Sequence, residues 1–264
     1  MEGFAIRSCA LRPWNDRRIV ECHEPLQALP DALLRLHPHP YVALGAPYGV
    51  EADPFRLRSG VVRRLLEAQQ ALQVDHPTLC FAIFDAWRPV SVQAFMVDHA
   101  IAEECERRGL TRDAPEQVED VNAVIRDVAR FWASPSMDPA MPPPHSTGAA
   151  VDLTLASVHD QRPLEMGGDI DAIGVESEPD HYLESARLKP HSVEATWQCR
   201  RDWLRKVMQG AGFEQHPNEW WHFSYGDQLW AWKSGAAQAV YAGAVDAGSP
   251  SSNAATASSP SLCT

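Results

Sequence analysis

The sequence predicts an α+β fold: a single domain over residues 1–240, with a small antiparallel sheet and flanking helices. Three observations carry this expectation. Helical and strand-like patterns follow one another without the regular alternation of a doubly wound sheet. The 264 residues, 45% apolar and 22% charged, suffice for one large domain with a substantial core, and 21 prolines point to many loops. From Val245 the composition changes to Ser, Ala and Pro without large apolar groups, which cannot offset the entropy of ordering, so residues 245–264 read as a disordered tail.

The elements follow in order. "AIRSCALRPW" can begin with a short strand, and "HPHPYVALGAPYGV" reads as a loop-rich segment. "SGVVRRLLEAQQALQ" is a helix, with Ser59 as cap and Val61, Leu65, Leu66 and Leu72 near the helical period. "TLCFAIFDAWRP" is a buried strand stopped by Pro89. "SVQAFMVDHAIAEECERRG" is a helix ending at Gly109, and "DAPEQVEDVNAVIRDVARFWA" another, opened by a capping box of Asp113 and Glu116 with Pro115 in the first turn. "AAVDLTLASV" is a strand, "MGGDIDAIGVESEPDHYLE" a loop, "TWQCRRDWLRKVMQGAG" a helix, and "FEQHPNEWWHFSYG" strand-like.

Composition also excludes. A net charge of −12 is wrong for gripping a phosphate backbone, so nucleic acid is not an expected partner. No run approaches the roughly 18 apolar residues that span a bilayer, so no membrane is expected. The opening residues lack a secretory pattern, and the expected location is cytoplasmic. Cys9, Cys22, Cys80, Cys105, Cys199 and Cys263 are scattered without a CxxC and read as free buried thiols.

Two stretches carry chemistry. In the first, His145 precedes Asp152 in the pattern H-x-x-G-x-A-x-D; the second is Glu219-Trp220-Trp221-His222. Two imidazoles and one carboxylate form the ligand set of an open catalytic zinc, leaving a fourth acidic group to act as a base. Residues seven apart point to opposite faces of a flat strand, so His145 must lie in a turn before it, with Gly148 supplying the freedom. Glu219 must sit at a bend, which Pro217-Asn218 offers. Each residue also has a plainer reading: His145 as a surface loop residue, Asp152 bonding backbone amides, Glu219 as a hairpin charge. Their conjunction favours a metal, because an Asp inside "AVDLTL" and polar groups framing "WW" need buried partners. Ser146 lies in no G-x-S-x-G elbow, His37 and His39 read as loop residues, and "GAGF" reads as a helix stop.

"HSTGAAVDLTL" with "EWWHFSYGDQLWA" resembles the D-alanyl-D-alanine dipeptidases, VanX-type metallopeptidases of vancomycin resistance and of peptidoglycan dipeptide recycling, whose relatives include zinc D,D-carboxypeptidases. "FDAWRPVSVQAF" matches the family's arginine segment and "EMGGDIDAIG" its loop after the first zinc strand; the resemblance covers roughly residues 40–235. It implies that His145, Asp152 and His222 hold one Zn²⁺ per chain, that Glu219 is the general base, that Arg88 stabilises the oxyanion and that Asp171 receives the ammonium group of a small dipeptide. Asp169 is a rival for the last role, and a structural pairing of Arg88 with Asp85 is the plainer reading of that arginine. Where the family often has Ser two residues before the first zinc His, this chain has Pro143, which leaves the grip on the dipeptide's carboxylate open. The alternatives are a zinc D,D-carboxypeptidase or peptidoglycan endopeptidase, and a metal-stabilised binder of cell-wall fragments that does not cleave them. Oligomeric state is not legible.

Overall fold

A computed structural model of the chain describes residues 12–49 and 53–244. The expected first strand and the Ser/Ala/Pro-rich tail lie outside the described residues. In chain order the elements are β1 (Leu26–Ala28), β2 (Leu34–Arg35), α1 (Pro40–Ala43), β3 (Arg56–Arg58), α2 (Ser59–Asp75), β4 (Leu79–Asp85), α3 (Val90–Arg107), α4 (Val118–Val128), β5 (Ala150–Ser157), α5 (Leu183–Leu188), α6 (Val193–Gly210), β6 (Glu214–Gln215), β7 (His222–Ser224) and α7 (Gln228–Ser234). This is the expected α+β class. The five-stranded sheet has the order β2-β4-β5-β7-β6, and β1 pairs with β3 in a separate ribbon.

The main sheet is mixed, which corrects the purely antiparallel expectation. Edge strand β2 runs parallel to β4, while β4, β5, β7 and β6 are antiparallel neighbours. A parallel pair needs a long crossover, and the chain between Arg35 and Leu79, with α2 in it, provides one.

Several local readings also change. Ser59 does not cap α2: its hydroxyl donates to Glu24 Oε2, which itself accepts Gly60 N–H at 2.7 Å, so the helix start is satisfied by a carboxylate far away in sequence. Asp113 and Glu116 form no capping box; Pro115–Gln117 is a 3-10 turn whose cap, Ala114, has no side-chain acceptor, and α4 begins at Val118. The β4 strand stops at Asp85, four residues before Pro89. The first "loop" segment contains the short helix α1, the second contains a 3-10 turn at Val175–Ser177 and runs into α5, and the last stretch splits into β6 and β7 around a turn at Pro217-Asn218. Cys22, Cys80, Cys105 and Cys199 are free, but only Cys105 is buried.

Strand periodicity explains where the core and the site sit. Phe81 and Ile83 of β4, with Val151, Leu153 and Leu155 of β5, point to one face, where they pack with Val61, Leu65 and Leu72 of α2 and Leu204 and Met208 of α6. The opposite face of β5 carries Asp152 and Thr154, both buried. A second apolar cluster, with Val92 and Met96 of α3, Val124 of α4, Tyr41 and Trp132, lies apart from the first. The strand is therefore buried on both faces, which is why "AVDLTL" shows no clean apolar alternation.

Candidate metal centre and its cavity

Backbone register assembles the centre. Asp152 on β5 stands directly opposite His222 on β7 and, on its other side, opposite Asp85 on β4. Directly opposed residues share a face, so three strands present Asp85, Asp152 and His222 in one row. The register shifts between Ile83 and Asp85, and that irregularity brings Asp85 level with Asp152. His145 arrives from the 3-10 turn Pro144–Thr147, which closes on Gly148 in the left-handed region at φ +71°. Any other residue there is strained, and an added Cβ would collide with Leu26 Cδ2. Glu219 lies in the bend between β6 and β7.

The three ligand candidates converge. His145 Nε2 lies 3.2 Å from His222 Nδ1 and 3.2 Å from Asp152 Oδ2, and His222 Nδ1 lies 3.1 Å from Asp152 Oδ1. Protons can be assigned from the outer contacts. His145 Nδ1 lies 2.7 Å from Ala86 O, a carbonyl that only accepts, so Nδ1 carries the proton and Nε2 of the neutral ring presents a lone pair inward. His222 Nε2 lies 3.3 Å from Ser224 Oγ, which can accept its proton in the same way. Lone pairs then face lone pairs at close range, and Asp152 Oδ1 and Glu219 Oε1, both buried, have no hydrogen-bond partner among the described residues. A cation resolves this. Donors each roughly 2.0–2.2 Å from a tetrahedral zinc stand about 3.3–3.6 Å apart, close to the separations found, so donor set and spacing fit that ion.

The surroundings hold these groups firmly. Burial pushes the Asp152 carboxyl up, but positive charge at this point, whether on protonated His145 and His222 rings or on a cation held by neutral ones, outweighs it and holds Asp152 well below the usual carboxylate range. Asp85 is fully buried and likewise held low: burial raises it, while Arg88 and a hydrogen bond from His39 outweigh that. Arg88 donates to Asp85 Oδ2 from Nη2 at 2.7 Å and Nε at 3.0 Å, and from Nη1 to Gln93 Oε1 at 2.8 Å. Its Nη2 is also 3.5 Å from Asp152 Oδ2. The pairing with Asp85 and a place at the cavity are thus the same fact.

Around the centre lies a cavity lined among others by Arg12, Arg88, Asp171, His216 and Glu219. Glu219 Oε2 is 3.5 Å from His222 Nδ1; burial and then the Asp152 charge push its carboxyl up to about 8. Asp171, also pushed up to about 8 by burial and Asp152, accepts a 2.8 Å hydrogen bond from Tyr41 and is held at φ +69°. Its rival Asp169 is exposed and does not line the cavity.

Sequence reasoning missed Tyr41, Arg12 and His216; His39 is a loop residue as expected, but it is buried and bonds Asp85 at 3.1 Å. The repeated His-Pro in "HPHPY" was its one signal.

A candidate cation site, a carboxylate beside it and a fixed guanidinium in one cavity are groups suited to metal-assisted hydrolysis, the chemistry of a metallopeptidase. The comparisons narrow the class. The chain belongs to the D-Ala-D-Ala dipeptidase family, whose model matches residues 35–240. A D-alanyl-D-alanine dipeptidase from Synechocystis sp. is 42% identical over 228 residues, covering 84% of this chain and 90% of that relative. A shorter stretch of 79 residues is 37% identical to the D-alanyl-D-alanine dipeptidase of Escherichia coli, covering 30% of this chain and 36% of that relative. Among solved structures, a Zn(II) complex of the vancomycin-resistance D,D-pentapeptidase VanY is similar only loosely: TM-score 0.41, 16% identity, 74% of this chain and 88% of that one.

Proposed function

We propose that the protein is a zinc-dependent dipeptidase, with one Zn²⁺ per chain, that hydrolyses D-alanyl-D-alanine or a closely related D,D-dipeptide in the cytoplasm as part of peptidoglycan metabolism. The observation that carries this reading is the convergence of three inward lone-pair donors, 3.1–3.2 Å apart, with Glu219 Oε2 3.5 Å from one of them. His145, Asp152 and His222 are the proposed metal ligands. Bound there, zinc would polarise the scissile carbonyl and bring the pKa of a water toward about 7.

The chain's own groups supply the rest. Glu219, as carboxylate, takes a proton from the attacking water and, once protonated, returns it to the nitrogen of the leaving amine, so one group serves as base and then acid. Arg88 needs no reorganisation, since Asp85 and Gln93 already fix its fork, and it offers positive charge to the oxygen on which negative charge grows. Asp171, oriented by Tyr41, takes the free ammonium group of the substrate. Membership of the D-Ala-D-Ala dipeptidase family, and 42% identity to a D-alanyl-D-alanine dipeptidase over 84% of the chain, support a dipeptidase over a carboxypeptidase or endopeptidase. Among the described residues no helix is long and apolar enough to cross a membrane.

The test is chelation followed by titration with Zn²⁺. Activity on D-Ala-D-Ala that vanishes while the protein stays folded, and returns at one equivalent per chain, supports a catalytic ion. Activity that survives complete removal of metal contradicts the reading, and unfolding on chelation moves the ion to a structural role.

A further inference from the structure

The cavity contains a second guanidinium that the roles above leave unused. Arg12 lies outside the stretch that the family model matches, yet its side chain lines the same cavity as Arg88 and Glu219. Its segment is built into the fold. Gln228 donates to the carbonyls of Asn15 and Arg17, Val20 N–H donates to Ala239 O, and Trp14, buried, packs edge-on against His216 and at a tilt against Trp232. The fork itself is fixed: Nη2 donates to Ala129 O at 3.1 Å and Phe131 O at 3.2 Å, and Nη1 lies 3.3 Å from His216 Nε2. His216 Nδ1 lies in turn 3.3 Å from Glu219 Oε1.

These contacts place Arg12 at one end of the cavity. A chain of contacts runs from Asp171 through the Tyr41 hydroxyl to Arg88 Nη2, on through Asp152 and His222 to Glu219 Oε2, and from Glu219 Oε1 through the His216 ring to Arg12 Nη1. The order along the cavity is therefore Asp171, then Arg88 with the ligand cluster, then Glu219, then Arg12. Glu219 must hand its proton to the leaving nitrogen, so the residue on the C-terminal side of the scissile bond lies on the Arg12 side. A dipeptide carries its carboxylate on that residue, and a fixed guanidinium matches a carboxylate in charge and geometry.

We propose that Arg12 receives the free α-carboxylate of the substrate and makes the enzyme specific for peptides that end one residue past the cleaved bond. The assignment rests on the dipeptidase reading above. It makes the cavity bipolar, an acid for the ammonium at one end and a base for the carboxylate at the other, and both poles of a zwitterionic dipeptide are then neutralised on binding.

The test compares D-Ala-D-Ala with its C-terminal amide, D-alanyl-D-alaninamide, on the zinc-loaded enzyme and on Arg12→Ala. For the unaltered enzyme kcat/KM should favour the acid. In Arg12→Ala, KM for the acid should rise roughly 10- to 100-fold, the size of a charged hydrogen bond, with little change for the amide, so that the preference collapses. Arg12→Lys keeps the charge and most of the reach. It should retain most of the preference for the acid, which separates the charge from any loss of local structure. An acid-to-amide ratio left intact in Arg12→Ala, whatever its absolute rate, overturns the assignment to Arg12. Absence of hydrolysis of either compound by the unaltered enzyme overturns the dipeptidase reading and this assignment with it.

Discussion

Asp85 grips Arg88, three residues later, through two hydrogen bonds of 2.7 and 3.0 Å, and the same carboxylate lies 3.3 Å from His145 Nδ1. One buried acid thus positions both the guanidinium of the cavity and a proposed metal ligand. Its partners are completed by His39 at 3.1 Å and Tyr48 at 3.2 Å.

Asp85→Asn should therefore do more than remove one contact. Breaking a buried pair leaves Arg88 uncompensated, at about 3–5 kcal/mol of stability by analogy with other buried pairs. Denaturant unfolding measures this, and kcat should fall as well because Arg88 loses its alignment. In a double-mutant cycle, Asp85→Asn with Arg88→Met should lose clearly less than the sum of the single losses. Additive losses would mean that the two side chains act independently.

Stability of the metal-free protein should depend on pH through Glu219 and Asp171. Burial, with the Asp152 charge second, raises both to about 8 in the folded state, against ordinary values of 4.5 and 3.8. A carboxylate with a raised folded pKa contributes stability that is complete below its unfolded value and lost as pH climbs through the folded one. The Tm of the chelated protein should fall between about pH 5 and 8. Zn²⁺ favours the ionised acids and should flatten that slope, as should Glu219→Gln in the metal-free protein. Parallel curves with and without metal would contradict the proposed proximity of Glu219 to the ion.

Gly148→Ala tests the turn that carries His145. At φ +71° a side chain is strained, and its Cβ meets Leu26 Cδ2, so a loss of about 1–3 kcal/mol is expected, read from the denaturant midpoint. His145 should be displaced from Asp152, and zinc affinity should fall with stability. Unchanged zinc affinity would show that the ligand cluster tolerates movement of this turn.

Asp171→Asn should act on binding of one chain end. KM for the free dipeptide should rise by roughly tenfold or more through loss of a charged partner, while an N-acetylated dipeptide, lacking the ammonium, should be hardly affected. Equal effects on both would assign Asp171 to structure instead.

The ligand candidates were legible because chemistry and strand pattern conflict at those positions: an acid in the middle of "AVDLTL" demands a partner, and the ladder provides one directly opposite at His222. Glu219 was legible for a related reason, since residues three apart share no strand face and Pro217-Asn218 supplies the bend. Arg12, Tyr41 and His216 carry no such conflict. A loop arginine, a tyrosine after a proline and a histidine before one are ordinary surface patterns, and only tertiary packing brings Arg12 and His216 to the cavity and Tyr41 against Asp171 and Arg88. The helix starts failed differently: the acceptor for the start of α2 is Glu24, which no local capping rule can find. The parallel edge strand β2 is two residues long, too short to leave a periodic signal.

The most direct measurement is release of D-alanine by the zinc-loaded protein from D-Ala-D-Ala beside a longer stem peptide ending in D-Ala-D-Ala, with Glu219→Ala as control. Release from the free dipeptide alone, falling roughly 10²-fold or more in the variant as expected for a lost general base, is the result the account predicts. Release from the longer peptide alone, or equal release by Glu219→Ala, would contradict it.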